Sequence, residues 1–290
     1  MLAVGEVLWD HLPHSTRLGG APLNFAVHLR RLGHSPLLVS AVGRDSLGQQ
    51  ALTAIGALGV DTSLVQSTDR FATGTARVAI GPDDQTTFTI DRPAAYDAIS
   101  LADLDLRRIV DWRPAWIYFG TLFPSNRDAR QLLERIVDSV PGAARIYDMN
   151  LRPGFESPAL VHDLLSAADV VKLNEQELRF VHDHLHLPAE AEAFCRTGSE
   201  RYGWRAACVT LAARGCAMFV DGAYAAAPGV RIDVADPVGA GDAFAAAFVH
   251  GLASNWTVAH VAQFANQEGA RIASAYGAIP DCAPHRVVQP

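Results

Sequence analysis

Residues 236–244 combine glycines and two carboxylates directly before an apolar segment. Gly239 and Gly241 permit a tight turn and let a ligand approach backbone N–H groups closely. The apolar run 243–252 has helical spacing, so we expect a helix to begin at this turn. The free N–H groups and the positive dipole end of a helix bind anions such as phosphate. Asp242 is then either a first-turn acid that complements the dipole or a carboxylate aimed at a substrate hydroxyl.

Paired glycines also precede a second predicted helix. Gly19 and Gly20 allow close approach of a ligand, and Pro22 is suited to a first helical turn. Asn24 then lies in that turn beside the glycines, where it is either a capping amide or a group that binds a ligand. Asp10 lies in an alternating, strand-like segment just before these glycines.

A further pair of polar residues follows a predicted strand. Asn174 and Glu177 lie three residues apart at a predicted helix start, so they share one face of that helix. An amide and a carboxylate placed in this way can hold the water shell of magnesium near phosphates. The alternative is a helix cap with first-turn acids. Arg152 follows another strand, and its planar guanidinium can bind phosphate oxygens.

Strand and helix patterns alternate along most of the chain. The predicted strands are 2–5, 6–12, 37–42, 116–119, 145–148, 170–173 and 207–211. One predicted helix begins near Pro22, and three others cover 45–58, 125–140 and 175–184. Such alternation predicts a mostly parallel sheet covered on both faces, with ligands at the carboxyl ends of its strands. Residues 73–80 and 85–91 instead alternate with period two around a turn at 81–84 and predict an antiparallel hairpin. With 6–12, this hairpin is expected to form a small separate sheet that acts as a lid.

Composition excludes several classes of protein. The chain has 290 residues and a net charge of −7, without the clustered cations that bind a nucleic-acid backbone. Lys172 is the only lysine and is followed by leucine, so no P-loop of the G-x-x-x-x-G-K-[ST] type exists. The four cysteines form no C-x-x-C pair and are expected to be reduced. Without a signal peptide or an 18-residue apolar span, we expect a cytoplasmic protein that does not enter a membrane.

Taken together, these motifs resemble those of the PfkB (ribokinase-like) sugar kinases, and among them most the fructokinases. The resemblance extends over essentially the whole chain. It is carried by Gly5-Glu6 with Asp10, 19–24, 31–33, 42–45 with Gly48, 73–75, 91–93 with Ala95, 147–152, 174–178, 209–211 with 214–215, 236–244, 265–266 and 277–280. It implies one kinase domain over 1–290, folded as a three-layer α/β sandwich with a β lid from about 6–18 and 73–92. It also implies transfer of the γ-phosphoryl group of ATP to a sugar hydroxyl, with magnesium.

The resemblance assigns roles around the phosphoryl group. Asp242 would be the base that takes the hydroxyl proton, and the N–H groups of Ala240, Gly241 and Asp242 would form the anion hole. We expect the helix dipole to depress the pKa of Asp242. Arg152 would contact phosphate, while Asn174 and Glu177 would hold magnesium through water.

The remaining assignments concern the nucleotide, the sugar and a second cation. Nucleotide contacts are implied for Asn174, Thr210, Arg214, Gly215, Gly239, Gly241 and Asn266. Sugar contacts are implied for Asp10, Gly19, Gly20 and Asn24, and Arg92 is either a further sugar contact or an exposed lid residue. Asp236 and the carbonyl of Val238 match a potassium site of some relatives. A homodimer through the lid is a further expectation.

Two residues depart from the family pattern. Met149 replaces the usual proline of D-P-N. Ala212 replaces the usual glycine of T-x-G, and its Cβ is expected to crowd the nucleotide or to shift the loop.

Several functions stay open at this point. A sugar acid or a phosphosugar needs its own cation, and among the predicted sugar contacts only Arg92 could serve. A neutral sugar fits better, and fructose is the first prediction. The same-fold alternatives are 2-keto-3-deoxygluconate kinase, ribokinase and nucleoside kinase, and a different class is a catalytically silent sugar- or nucleotide-binding protein. A dinucleotide-dependent oxidoreductase is disfavoured because no G-x-G-x-x-G follows the first strand.

Overall fold

The computed structural model describes residues 1–12, 15–80, 86–100, 102 and 106–281. Within them the strands are β1 Leu2–Val4, β2 Leu8–Leu12, β3 Ser15–Gly19, β4 Leu37–Gly43, β5 Val65–Thr68, β6 Gly74–Ile80, β7 Thr86–Ile90, β8 Trp116–Phe119, β9 Ala144–Asp148, β10 Val170–Asn174, β11 Ala206–Thr210, β12 Cys216–Val220 and β13 Ala223–Ala227. The α-helices are α1 Ala21–Arg31, α2 Ser46–Ala57, α3 Leu106–Trp112, α4 Arg127–Ser139, α5 Pro158–Ala167, α6 Glu175–Leu185, α7 Ala191–Tyr202, α8 Ala240–Ala253 and α9 Val258–Ala273.

The central layer is a nine-stranded sheet in the order β13-β12-β11-β10-β9-β8-β1-β4-β5. Neighbouring strands from β11 to β5 pair in parallel, as the strand and helix alternation predicts. The pairs β11–β12 and β12–β13 are antiparallel. The sequence patterns predicted neither β12 nor β13. Because the strands from β11 to β5 are parallel, they all direct their carboxyl ends to the same edge of the sheet.

Helices cover both faces of this sheet. In β1, Leu2 and Val4 belong to one core cluster and Ala3 to the other, because successive side chains of a strand point to opposite faces. The first cluster contains the buried faces of α3 to α7, and the second contains those of α1, α2, α8 and α9. The predicted three-layer α/β sandwich is confirmed.

A second, four-stranded sheet in the order β3-β2-β6-β7 forms the predicted lid sheet. The pairs β2–β3 and β6–β7 are antiparallel, while the central pair β2–β6 is parallel. Strand β2 begins at Leu8, two residues later than predicted, and β3 is an additional strand that ends one residue beyond the expected lid segment 6–18. The predicted turn at 81–84, together with 13–14, lies outside the described residues.

Two expectations from composition can be compared with the structure. Cys195, Cys208 and Cys216 are free and buried, in agreement with reduced core cysteines, and Cys282 lies outside the described residues. Among the described residues, no helix is both long and apolar enough to cross a membrane.

Candidate active site

A cavity of about 260 Å³ lies between the lid and the start of α8. Its lining combines carboxylates, glycines and one arginine from segments distant in sequence: Glu6, Leu8, Asp10, Gly20, Ala21, Asn24, Ala76, Ile90, Leu122, Asn150, Arg152, Pro237, Val238, Gly239, Gly241 and Asp242. The structure therefore brings together the two glycine-containing motifs that the sequence places more than 200 residues apart.

The glycine turn before α8 forms as predicted. Gly239 is the N-cap with φ 80°, a left-handed conformation that favours glycine, and a Cβ at this position would clash with Ala278. The N–H of Ala240 donates to the carbonyl of Pro237 at 3.3 Å. The N–H groups of Gly241 and Asp242 donate to no backbone carbonyl among the described residues. These two donors are therefore available to an anion, whereas three were expected.

The carboxyl group of Asp242 is held by Asn24, whose Nδ2 donates to Asp242 Oδ2 at 2.8 Å. The pKa of Asp242 is raised to about 7, first because the surrounding protein excludes water and then because Asp148 carries a like charge nearby. The hydrogen bond from Asn24 and the charges of Lys172 and Arg152 oppose this rise. The expectation that the helix dipole depresses this pKa is wrong, because burial of the carboxyl group outweighs the dipole.

A buried ion pair next to Asp242 escaped the sequence analysis. Lys172 Nζ lies 2.7 Å from Asp148 Oδ1, and the hydroxyl of Tyr118 donates to Asp148 Oδ2 at 3.1 Å. Lys172 is 6% exposed and Asp148 is 1% exposed, so each of these buried charges needs the opposite charge of the other as compensation. A Cβ at Gly241 would lie 3.6 Å from Lys172 Nζ, which places this cation beside the anion-binding turn. The signal in the sequence was a lone lysine within an apolar strand, where a cation needs a partner.

The carboxylates of Asp10, on lid strand β2, and of Glu6, after β1 of the central sheet, line the cavity. Burial raises the pKa of Asp10 to about 6, and the charge of Arg152 opposes this shift. Burial likewise raises the pKa of Glu6, whose Oε1 accepts a hydrogen bond from the N–H of Ala21 at 3.3 Å. Glu6 was not among the predicted site residues, although it follows directly on the first strand. Asp10 and Glu6 thus give the cavity two acceptors for hydroxyl groups.

The paired glycines leave space for these acceptors. A Cβ at Gly19 would lie 2.6 Å from Asp10 Oδ2. Gly20 has φ 110°, and a Cβ there would clash with the carbonyl oxygen of Glu6. In the first turn of α1, Asn24 Oδ1 is buried without a hydrogen-bond partner. Asn24 is therefore not a capping amide, and its free acceptor requires a donor from a ligand or water.

Arg92 differs from both of its predicted roles. Its side chain is only 10% exposed and forms an ion pair with Asp97. It also donates to the carbonyl of Leu122 and to the hydroxyl of Ser125. The interpretation of Arg92 as an exposed lid residue is wrong. The structure does not place it among the residues that line the cavity, and its donors are used within the protein.

Asn174 and Glu177 form the helix cap that was the alternative to a metal site. Asn174 Oδ1 accepts from the N–H groups of Gln176 and Glu177, and Glu177 Oε2 accepts from the N–H of Asn174 at 2.8 Å. Glu177 Oε1 accepts from the N–H of Leu151 at 2.9 Å. Glu177 is 5% exposed, so it fixes the loop that carries Arg152 rather than facing solvent. No group of three His, Cys, Asp or Glu side chains suited to a metal occurs in the described part of the chain.

The predicted nucleotide residues lie at neighbouring strand ends. Thr210 pairs in register with Asn174. The guanidinium of Arg214 lies 2.8 Å from Glu175 at the start of α6. Gly215 has φ 99°, and a Cβ there would clash with the carbonyl oxygen of Ala227. The side chain of Asn266 donates to that same carbonyl at 3.2 Å. Gly215 and Asn266 therefore converge at one loop.

The two departures from the family pattern have different structural consequences. Ala212 has φ 50°, so an alanine occupies the left-handed conformation that the usual glycine adopts without cost. Met149 is fully buried, and its N–H donates to the carbonyl of Lys172 at 3.0 Å. Proline has no N–H and could not make this bond. Met149 therefore adds a link between β10 and the loop that carries Arg152.

Asp236, one of the two predicted potassium ligands, has other partners. Its Oδ2 lies 3.1 Å from Nη1 of Arg17 and accepts from the N–H of Gly277 at 2.9 Å. Its Oδ1 accepts from the N–H of Val238 at 3.0 Å. A guanidinium thus occupies the side of the carboxylate that a potassium ion would need, so the residues present do not fit the predicted ion.

The chain is similar to known proteins over nearly its whole length. It is 27% identical to "Fructokinase-1" of Zea mays over 97% of this chain and 93% of that protein. Among solved structures, the fructokinase of Xylella fastidiosa with bound ATP has a TM-score of 0.85 and 25% identity, covering 96% of this chain and 93% of the other. A fructokinase double mutant of Vibrio cholerae O395, in a form with bound fructose, ADP and potassium, has a TM-score of 0.82 and 23% identity, covering 96% and 93%.

The chain also matches a sequence model of a protein family. The sequence model described as "pfkB family carbohydrate kinase" matches residues 14–286. This range includes the whole site except β1, β2 and the residues Glu6 and Asp10. The chain therefore belongs to the pfkB family of carbohydrate kinases.

Proposed function

We propose that this chain transfers the γ-phosphoryl group of ATP to a hydroxyl of a neutral sugar, and that the sugar is fructose. The observation that carries the proposal is the position of Asp242. Its carboxyl group lies at the anion-binding start of α8 and lines the same cavity as Asp10 and Glu6. A sugar hydroxyl can therefore meet a proton acceptor and a phosphoryl group at one point.

Asp242 is the proposed proton acceptor. A carboxyl group with a pKa of about 7 is better matched to its task at neutral pH than an ordinary aspartate. In a loose, metaphosphate-like transition state the hydroxyl loses its proton late, so Asp242 first orients the hydroxyl and then accepts the proton. The side chain of Asn24 keeps Asp242 Oδ2 in place during both steps.

The transferred phosphoryl group meets positive charge from three directions. The N–H groups of Gly241 and Asp242 point from the helix start, Lys172 lies behind them, and Arg152 faces the cavity. Lys172 is bound to Asp148 and cannot move freely, so it contributes a fixed charge. Arg152 lines the same cavity as Asp242, where it can contact the γ-phosphate.

Magnesium is proposed to accompany the nucleotide. Both Glu177 oxygens accept backbone hydrogen bonds, so direct coordination by this side chain does not fit, while contact through water is compatible with its position at the loop. Magnesium would neutralise charge on the phosphates. Glu177→Ala is expected to raise the magnesium requirement and to weaken ATP use through displacement of Arg152. Superimposable magnesium titrations of the wild type and the variant would contradict a role for Glu177.

The proposal that ATP binds here extends from the relatives to this chain. The nucleotide residues are proposed to be Thr210, Arg214, Gly215 and Asn266, with Asn174 near the phosphates. Asn174 and Thr210 lie at the carboxyl ends of β10 and β11, and Asn266 bonds to the carbonyl of Ala227 at the end of β13. Such strand ends are where open α/β sheets bind nucleotides.

The choice of a neutral sugar rests on the charges around the cavity. Of the described residues that line it, Arg152 is the one cation, and it faces the acids Glu6, Asp10 and Asp242. An anionic sugar would meet these carboxylates and would compete with phosphate for Arg152. Neutral hydroxyls can instead donate to Asp10, Glu6 and the free Oδ1 of Asn24. This argument supports fructose over 2-keto-3-deoxygluconate, and it does not separate fructose from ribose or a nucleoside.

The test is ADP release with fructose, ribose, a nucleoside, 2-keto-3-deoxygluconate and fructose 6-phosphate as acceptors. Fructose is expected to give the highest kcat/KM, and fructose 6-phosphate a low one. If the sugar acid performs better than fructose, the fructose assignment is wrong and the kinase assignment stands. Sugar-independent binding of ATP without any transfer would support the silent binding protein instead.

Three further expectations stay predictions. These are a single kinase domain over 1–290, a homodimer through the lid and a cytoplasmic location. Sedimentation of the wild type tests the dimer, since lid contact between two copies would double the mass.

A further inference from the structure

Arg17 connects the lid to the loop that precedes the anion-binding turn. It lies on β3 directly opposite Asp10 on β2. Its Nη1 reaches Asp236 Oδ2 at 3.1 Å, across a sequence separation of 219 residues. The side chain of Asp236 is 14% exposed, so this carboxylate lies mostly out of water and needs compensation of its charge.

The surroundings of this ion pair lead to the phosphate site. Gly277 donates its N–H to the same Asp236 oxygen, and a Cβ at Gly277 would lie 2.9 Å from Nη1 of Arg17. The guanidinium therefore packs directly over the backbone of Gly277. The next residue, Ala278, occupies the space where a Cβ at Gly239 would be. One short segment thus contacts both the Arg17–Asp236 pair and the N-cap of α8.

This position is the one where the family resemblance predicts a potassium ion, held by Asp236 and the carbonyl of Val238. A monovalent cation at such a place compensates the carboxylate and fixes the neighbouring loops. Arg17 does both with groups of the chain itself: its guanidinium supplies the charge, and its packing over Gly277 holds the segment next to the turn. A potassium ion on the same carboxylate oxygen would face a like charge at contact distance.

We propose that Arg17 replaces the monovalent cation in this chain, so that phosphoryl transfer does not depend on potassium. Arg17 is accordingly a positioning residue: it acts through Asp236 and the 277–278 segment on the anion-binding turn, without contact to the reacting atoms. The proposal rests on the kinase activity of the family and not on the choice of fructose.

The first experiment compares cations on the wild type. Transfer is measured at constant magnesium and ionic strength, with chloride salts of potassium, sodium or tetramethylammonium and whichever sugar gives turnover. We expect kcat and KM to differ by less than about twofold among the three salts. The melting temperature of the enzyme without substrates, which needs no turnover, is expected to be the same in potassium as in tetramethylammonium. Activation of the wild type by potassium, or stabilisation by it, would overturn the proposal.

The second experiment removes the charge. Arg17→Met keeps the aliphatic stem and is expected to lose at least about tenfold in kcat in tetramethylammonium, with recovery in potassium. Its melting temperature is expected to rise with potassium, because an ion that binds only the folded state stabilises it. Arg17→Lys retains a cation and is expected to stay independent of potassium.

The matched control is Arg77→Met, which removes another lid arginine from an ion pair that is exposed, with Asp91. It is expected to behave as the wild type in all salts. If Arg17→Met matches this control, the Arg17–Asp236 pair is a surface contact without effect on transfer. If Arg17→Met is inactive or unstable in every salt, potassium does not restore what arginine supplied, and the proposal is wrong. Failure to turn over any sugar would contradict the proposed function while the melting experiments still decide on the cation.

Discussion

Asp242→Asn replaces a carboxyl group whose charged form is unfavourable in the folded protein with a neutral amide of nearly the same shape. We expect the variant to be more stable than the wild type at pH 8 and at least about a hundredfold slower in phosphoryl transfer, a loss typical of a positioned acid–base group. The hydrogen bond from Asn24 can persist, since the new side chain still offers an oxygen acceptor.

The size of the effect follows from the pKa of Asp242, which rises from 3.8 to about 7 on folding. Between these values the folded state holds a proton that the unfolded state has lost, so stability falls as pH rises through this window and is constant above it. Each pKa unit corresponds to about 1.4 kcal/mol, which gives a loss of about 3 kcal/mol between pH 5 and pH 7. The amide does not titrate and avoids this loss.

The assay is thermal or denaturant unfolding of both proteins at pH 5 and pH 8. The advantage of Asp242→Asn over the wild type is expected to grow by about 3 kcal/mol between the two pH values, or roughly 6 to 12 °C in Tm. Asp128→Asn is the control, because Asp128 also lies in the first turn of a helix but is exposed. An advantage that is equal at both pH values would refute the assignment of a desolvated carboxyl group at Asp242.

The remaining predictions concern the reaction and its neighbouring residues. The kcat/KM of the wild type is expected to rise tenfold per pH unit below about pH 7, as Asp242 ionises, and a profile that is flat from pH 5 to pH 8 would exclude Asp242 as the base. Lys172→Met is expected to cost about 3–5 kcal/mol in denaturant unfolding, because Asp148 then stays buried without its partner. Asp10→Ala is expected to raise the sugar KM at least about tenfold with the ATP KM unchanged in steady-state assays. Ala212→Gly is expected to stabilise the protein by about 1 kcal/mol, because glycine adopts φ 50° without strain, and equal or lower stability would contradict that reason.

The sequence predicted those features of the fold that depend on local patterns. Period-two and helical spacing located the strand Trp116–Phe119 without error and most other parallel strands to within about two residues. The parallel strand β5 and the antiparallel strands β12 and β13 were missed. The Asp221-Gly222 pair between β12 and β13 is a hairpin signal, but four of the five residues of β13 are alanines, which do not favour a strand. The glycines were the most informative residues for the turns of the site, since Gly20, Gly215 and Gly239 adopt the positive φ angles that their role in turns implies.

The electrostatics of the site could not be predicted, because they depend on contacts between distant segments. The helix dipole at Asp242 is a local property, but its pKa is dominated by burial under other elements and by Asp148 of β9. The sequence alone likewise does not show which carboxylates pair with Arg17 and Arg92. Only the folded chain pairs the first with Asp236 and the second with Asp97.

The helix α8 also has a consequence for how the chain reaches its folded state. Residues 243–252 of this helix are all buried, and they pack on α1, which lies at the opposite end of the sequence. During synthesis α1 and the strands beneath it are therefore made long before the helix that covers them. Contacts of such sequence separation form slowly, and uncovered apolar surface favours aggregation. Enzymatic activity after dilution from denaturant is accordingly expected to return later than the far-ultraviolet signal of the helices.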